Sequence, residues 1–241
     1  MWIDALRKIS EEFRTKLEAP LILSALMYAM AYGSQGTRHD AQYRDAKDAS
    51  SLKDIPTYRR RSLTGYFIRK FDRASDSLPA EKPSFEHKIT ALDFTEQLAT
   101  LPKCTVYADP PYCFVHYSRF YHALETLALY DYPEIQEQGG EVVKGRYREV
   151  RHQSPFSIQS QVLGAFHAMF KGVAKSQSNL VLSYANTGMI TLKELLELMR
   201  KEMLGYQIDS IEVHYDHMTM GRKGDHKRQV REYLITAKLM K

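Results

Sequence analysis

Apolar residues recur along this chain with two different periods. Trp2, Leu6, Ile9, Phe13 and Leu17 share one helical face, which ends at Ala19-Pro20, where the residue before proline is pushed out of the helical region. Residues 21–32 read as a second, more apolar helix, and the pair is expected to pack on a sheet or on a part of the fold not present. From Gly33 to Pro83 the chain turns polar and irregular, rich in Arg, Asp, Ser and Tyr. Beyond it, short apolar runs predict strands at 88–92, 105–108, 179–184, 208–215 and 231–237, the second of them buried. Residues 160–174 and 192–204 read as helices; the latter opens on a Thr191…Glu194 capping box and stops at Gly205. Strands alternating with helices, closed by a hairpin-like pair, predict an α/β class with a Rossmann-like sheet.

Composition narrows this picture only a little. At 241 residues, 44% hydrophobic and 26% charged, the chain is long enough for one domain, or one plus a small insertion. Cys104 and Cys113 offer neither a disulfide framework nor zinc spacing, which suits a reducing cytoplasm. The longest apolar stretch, 21–32, is too short to span a bilayer, and the first residues form a charged amphipathic segment unlike a signal peptide. No repeat or low-complexity tract is present.

The chemistry concentrates in four residues, Asp109-Pro110-Pro111-Tyr112, which close the run Thr105-Val106-Tyr107-Ala108. The acid therefore stands where a strand's carboxyl end opens into a loop, the ligand edge of an open α/β sheet. Two prolines fix two φ angles and remove two backbone donors, so the loop is stiff and its carbonyls are left to accept. A carboxylate, a rigid carbonyl and an aromatic face together suit a flat ring bearing an amine. Asp109 and the Pro110 carbonyl each take an N–H from the exocyclic nitrogen, and Tyr112 stacks on the ring.

The segment Tyr107 to Tyr112 resembles motif IV of the amino-methyltransferases that modify exocyclic nitrogens of DNA bases, in the Asp form typical of N6-adenine enzymes. Upstream, Ile89 to Phe94 is similar to the segment whose acid and aromatic (here Asp93 and Phe94) contact the adenine ring of S-adenosylmethionine. Downstream, Tyr117 to Leu127 and Arg151 to Phe156 resemble one branch of bacterial adenine-specific enzymes, and Leu182-Ser183-Tyr184 looks like their next sheet motif. The resemblance covers roughly residues 20–240. It implies S-adenosylmethionine as methyl donor, no metal, double-stranded DNA as partner, and a base flipped out of the helix so that its N6 meets Asp109 and the Pro110 carbonyl.

One part of the family pattern is missing. No Phe-x-Gly-x-Gly turn follows a first strand; Tyr32-Gly33-Ser34-Gln35-Gly36 follows a helix-like run, and Gly164, Gly172 and Gly188 lie in the wrong settings. The motif order puts that turn, with the first two strands, before Met1. In the family the first strand lies at the sheet centre beside the strand ending at Asp109. The expectation is an incomplete methyltransferase sheet whose glycine-rich cofactor motif sits on a second polypeptide. A truncated chain, a pseudo-enzyme and a cofactor pocket built differently are the alternatives.

Net charge is +5, unevenly spread. Arg59, Arg60, Arg61, Arg69, Lys70 and Arg73 face only Asp72, with Tyr58, Tyr66 and Phe67 interleaved; Arg222, Lys223, Lys227, Arg228 and Arg231 face only Asp225. Two concentrated basic segments read as phosphate contacts. The first lies where this enzyme class carries its target-recognition insertion, here residues 34–85, and the second where a hairpin borders the target base. Cys113 is separated from Pro111 by Tyr112 and reads as a loop or core thiol. His116, His122 and His152 read as packing residues, and Tyr184 as a prop beneath the site. The reading is a DNA N6-adenine methyltransferase half; the rival is a non-catalytic DNA-binding or assembly protein with the same scaffold.

Overall fold

A computed structural model describes residues 2–14, 16, 18–33, 49–79, 85–114, 116–143, 145–218 and 227–240. In chain order these form α1 (Trp2–Glu12), α2 (Glu18–Gly33), α3 (Ala49–Arg59), α4 (Leu63–Asp76), α5 (Phe94–Thr100) and β1 (Thr105–Ala108). There follow α6 (Tyr117–Phe120), α7 (His122–Leu129), β2 (Glu137–Gln138), β3 (Glu141–Val142) and a 3-10 turn at Pro155–Ser157. The chain ends with α8 (Val162–Lys175), β4 (Asn179–Ala185), α9 (Leu192–Glu202), β5 (Tyr206–Met218) and β6 (Lys227–Leu239). It divides into two compact units: one holds Met1–Glu86 and Tyr117–His152, the other His87–His116 and Gln153–Lys241.

The first unit is helical. α2 buries Ile22, Ala25, Leu26 and Ala29 at i, i+3, i+4 and i+7, and Pro20 sits in its first turn, where a missing N–H costs nothing. The predicted break at Pro20 is thus a helix start. α4 opens on a Ser62 cap, whose hydroxyl accepts from the Gly65 N–H, and packs on α2 through Tyr66, which meets Tyr28 and Tyr32 edge-on or tilted. The stretch expected to be irregular therefore contains two helices. Pro56 within α3 and the scarcity of apolar residues there hide the first from the pattern. α1 also departs from expectation: Trp2 and Ile9 of its apolar face are exposed, whereas Arg7 and Ser10 are buried. Arg7 donates to the Leu127 and Ala128 carbonyls (2.8 and 3.0 Å), so a guanidinium satisfies the last carbonyls of α7 at its negative dipole end.

The second unit is the α/β part. Its four-stranded sheet runs β1-β4-β6-β5; β1 pairs parallel to β4, and β4–β6 and β6–β5 are antiparallel. Leu180, Leu182 and Tyr184 of β4 and Tyr233, Ile235 and Ala237 of β6 share one core with Phe166 and Phe170 of α8 and Leu195 and Met199 of α9. The predicted final hairpin is present and longer than its apolar runs, paired from Tyr206↔Leu239 to Met218↔Lys227.

Two strand expectations fail for one reason. Among the described residues β1 has a partner on one side, β4, and its residues alternate between exposed and half-buried rather than lying buried. Residues 88–92 form no strand, and Ile89 is 96% exposed. A β run needs a neighbour for its N–H and C=O groups, and no described residue supplies one beyond β1.

The capping box of α9 is complete: Thr191 Oγ1 accepts from the Glu194 N–H (3.2 Å), and the Glu194 carboxylate accepts from the Thr191 N–H (2.8 Å). The Thr191 hydroxyl, donating to the same carboxylate at 2.7 Å, and then the Thr191 N–H hold the Glu194 carboxyl below the usual carboxylate range. Thr191→Ala is expected to lower stability by about 1 kcal/mol, read as a shift of the urea midpoint at unchanged slope.

Candidate active site

β1 delivers Asp109 to the loop at its carboxyl end, and the loop that follows is fixed by two bonds. Ser157 Oγ, wholly buried, donates to the Pro111 carbonyl at 3.0 Å. The Met189 N–H, on the turn after β4, donates to the Tyr112 carbonyl at 3.0 Å. Ser157 is itself placed by the 3-10 turn, whose Ser154 cap accepts from Phe156, and its carbonyl accepts from Gln153 Nε2 (3.2 Å). Among the described residues no group donates to the Asp109 carboxylate or to the Pro110 carbonyl. Asp109 is exposed, and the Pro110 residue packs inward.

Tyr112 is half-buried and set edge-on against Tyr184 (centroids 5.6 Å, 65°), with its hydroxyl donating at 3.4 Å to Glu232 Oε1 on β6. Tyr184 lies beneath it, buried, donating to the Ile190 carbonyl at 2.7 Å; burial pushes its hydroxyl pKa up to about 12. Cys113 Sγ lies 3.3 Å from Thr187 Oγ1, a loop thiol tied to its neighbour.

A cleft of about 350 Å³ opens beside this loop, lined by Asp109, Pro110 and Pro111, by Val106 to Ala108, by Phe94, Gln97 and Leu98 of α5 with Leu101 just after it, and by Phe156. Phe94 is held there against Phe156 (5.0 Å). Asp93 caps α5 by accepting from the Thr95 N–H at 2.9 Å, so one carboxylate oxygen is already committed to the helix. None of the cleft's lining residues is a glycine.

The structure thus brings Asp109, Pro110, Pro111 and Phe94 to one cleft, with Tyr112 at its loop and Asp93 one residue away. None of the basic residues expected to hold phosphate is among the cleft's described lining residues. Arg59, Arg60 and Arg69 are exposed in the helical unit; Arg61 donates to the Tyr32 carbonyl (2.7 Å) and covers the Tyr58 ring, and Lys70 stands over Tyr28. Arg222 and Lys223 lie outside the described residues; Lys227 and Arg228 open β6, but their side chains are not described. His122 is a packing residue of the helical unit, its Nδ1 3.1 Å from the Arg119 carbonyl and its ring edge-on to Tyr147.

Sequence reasoning missed Ser157, Met189 and Glu232. Ser157 follows directly on the Arg151–Phe156 segment noted above, so the signal ended one residue short; a main-chain donor such as Met189 leaves none. Among the described residues no cluster of three or more His, Cys, Asp or Glu has metal-binding geometry, and no helix is long and apolar enough to cross a membrane.

No family model and no solved structure matches the chain. Three curated relatives do. Modification methylase LlaI of Lactococcus lactis subsp. lactis is 35% identical over 95 residues, 39% of this chain and 14% of that protein. Type II methyltransferase M.FokI of Planomicrobium okeanokoites is 30% identical over 99 residues, 41% of this chain and 14% of its own length. Type II methyltransferase M.NlaIII of Neisseria lactamica is 25% identical over 146 residues, covering 58% of this chain and 41% of that protein. The chain therefore spans about a seventh of the first two relatives, and over two-fifths to three-fifths of its own length it is similar to type II modification methyltransferases.

Proposed function

We propose that this chain carries the amine-binding part of an S-adenosylmethionine-dependent DNA methyltransferase acting on N6 of adenine, within a restriction–modification or host-marking system. One observation carries the reading: the loop's Pro111 and Tyr112 carbonyls are bonded by Ser157 and Met189, while among the described residues none donates to the Asp109 carboxylate or the Pro110 carbonyl. Two adjacent, rigid acceptors match the two N–H groups of an exocyclic amine. Accepting both would favour a more pyramidal nitrogen with its lone pair free to attack, and the rest is largely positioning. Tyr112, steadied by Tyr184 and Glu232, offers a face to a base that has left its stack.

The residues present fit only part of the methyl donor. Phe94 lines the cleft and suits a flat ring, and Asp93 stands at its edge. The cleft has no glycine turn to admit the donor's amino-acid end. When bound, the donor would supply an electrophilic methyl group on sulfur; the chain's own residues hold and orient the accepting nitrogen. The open outer side of β1 is where the family places its first strand, so we assign the glycine turn to a segment or second polypeptide that pairs there. The same open edge is the one observation favouring a non-catalytic DNA-binding or assembly protein.

The test is transfer of labelled methyl from S-adenosylmethionine to mixed-sequence duplex DNA, using this chain alone and with the product of the neighbouring reading frame. Transfer by the pair with methyl on adenine N6, and its loss by at least about a hundredfold in Asp109→Ala with DNA affinity retained, is expected. Retained turnover in Asp109→Ala would remove that carboxylate from the chemistry. Tyr112→Ala should cost about tenfold in capture of a flipped base and Tyr112→Phe much less, read with a 2-aminopurine-containing duplex; equal effects would mean stacking is not what Tyr112 supplies. Arg60→Ala should weaken DNA binding and flatten the log–log salt slope by about one unit, measured by fluorescence anisotropy from low to moderate salt. An unchanged slope would leave Arg60 a solvated surface residue.

A further inference from the structure

The helical unit has a cavity of its own, about 460 Å³, within the range that takes small organic ligands. Met30, Leu127 and Ile135 contribute apolar surface to it. One wall is a fixed ion pair: Arg148 grips Asp131 with two parallel bonds of 2.8 and 2.6 Å and is anchored by a third to Thr126 Oγ1 (3.1 Å). The guanidinium side chain is largely buried and the carboxylate is 40% exposed, so the pair presents a donor edge and an acceptor edge that cannot swing away. Its strong bonding holds Asp131 below the usual carboxylate range.

Three further lining residues are Tyr130, Tyr132 and Arg146. Tyr130 and Arg146 adopt left-handed backbone conformations (φ 53° and 49°), two of only three such non-glycine residues among those described. At Tyr130 that conformation is the left-handed cap of α7, its N–H donating to the Thr126 carbonyl (2.8 Å), and at Arg146 it belongs to a turn in which the Arg146 N–H donates to the Val143 carbonyl (2.8 Å). Between them in the lining, Tyr132 is 99% exposed, a large aromatic face left wholly to solvent.

We propose that this cavity is a nucleotide-binding site, separate from the Asp109 cleft, that takes one purine or pyrimidine ring against Tyr132 and its phosphate on Arg146. Apolar surface and a free aromatic face suit a planar ring; the Asp131–Arg148 pair suits its polar edge; the exposed cation suits the anion attached to it. The same unit carries exposed Arg59, Arg60 and Arg69, cations that would follow a strand's phosphates beyond the cavity. The ligand is either a nucleotide of a bound DNA strand or a free nucleotide; the chemistry is shared. The site requires no methyl transfer, so it stands or falls apart from the function proposed above.

The experiment uses fluorescence. Trp2 is the single tryptophan, so a Trp2→Phe, Tyr132→Trp chain places the one indole at the cavity mouth. Saturable quenching by dAMP, dGMP or a short oligonucleotide is expected, with none from deoxyribose 5-phosphate at equal concentration. Quenching by the oligonucleotide alone identifies a strand nucleotide, and quenching by mononucleotides with equal or better affinity identifies a free-nucleotide site. In equilibrium dialysis of the same ligands with otherwise wild-type chain, Tyr132→Ala and Arg146→Ala should each weaken binding about tenfold. Absence of saturable quenching by both ligands, quenching by deoxyribose 5-phosphate, or unchanged dialysis affinity in both alanine variants would overturn the proposal.

Discussion

The candidate site hangs from a parallel ladder of four residue pairs, Thr105↔Asn179 to Ala108↔Leu182. So short a ladder would slip unless its start were pinned, and a slip of one residue would turn every side chain of β1 to the other face. The pin lies just before the strand. The Asn179 N–H donates to the Cys104 carbonyl (2.9 Å), and the Cys104 N–H donates to the wholly buried Ser178 hydroxyl (3.0 Å). Asn179 reaches the other way too, its side-chain oxygen accepting from the Leu239 N–H (3.0 Å) at the end of β6. One residue thus sets β1 and β6 against β4, and the position of Asp109 follows from that.

The loop after β1 shares its donors unequally. Prolines at 110 and 111 supply no N–H, so the main chain there can only accept hydrogen bonds. Ser157 and Met189 satisfy the second and third carbonyls and immobilise the loop. Among the described residues no group donates to the first carbonyl or to the acid before it, the two acceptors proposed to meet an amine.

Much of the second unit was legible. The strands ending at Asp109 and at Ala185, helices α8 and α9, the capping box and the closing hairpin all follow from local pattern, because each buries a periodic face in the one core. The helical unit was less so. Its α1 is oriented by Arg7, a cation buried to satisfy helix carbonyls, and a hydrophobic pattern has no term for that. Residues 88–92 read as a strand because their alternation is strand-like; pairing, which sequence does not carry, is what they lack. At the candidate site, Asp109 to Tyr112 stand out by residue chemistry and Phe94 by the family resemblance, and the structure places Asp109, Pro110, Pro111 and Phe94 in one cleft. Ser157 does not stand out, since a lone serine after Pro-Phe looks like any turn residue until Pro111 is seen opposite it.

Gly188 shows how a residue set aside on sequence grounds acquires a role from packing. It does not fit the glycine turn expected for the methyl donor. A Cβ on it, however, would stand 2.1 Å from the Tyr184 hydroxyl oxygen. That hydroxyl donates to the Ile190 carbonyl and accepts from the Ile190 N–H (3.2 Å), so the chain after β4 wraps around the tip of a buried tyrosine. Burial raises the tyrosine pKa to about 12, which keeps its proton in place at neutral pH and both bonds intact. The wrapped turn presents the next N–H, that of Met189, to the Tyr112 carbonyl. Absence of a side chain at 188 is therefore what allows Tyr184 to shape the turn, and the turn to fix Tyr112. The aromatic face proposed to hold the base is set from below by a neutral tyrosine that never touches it.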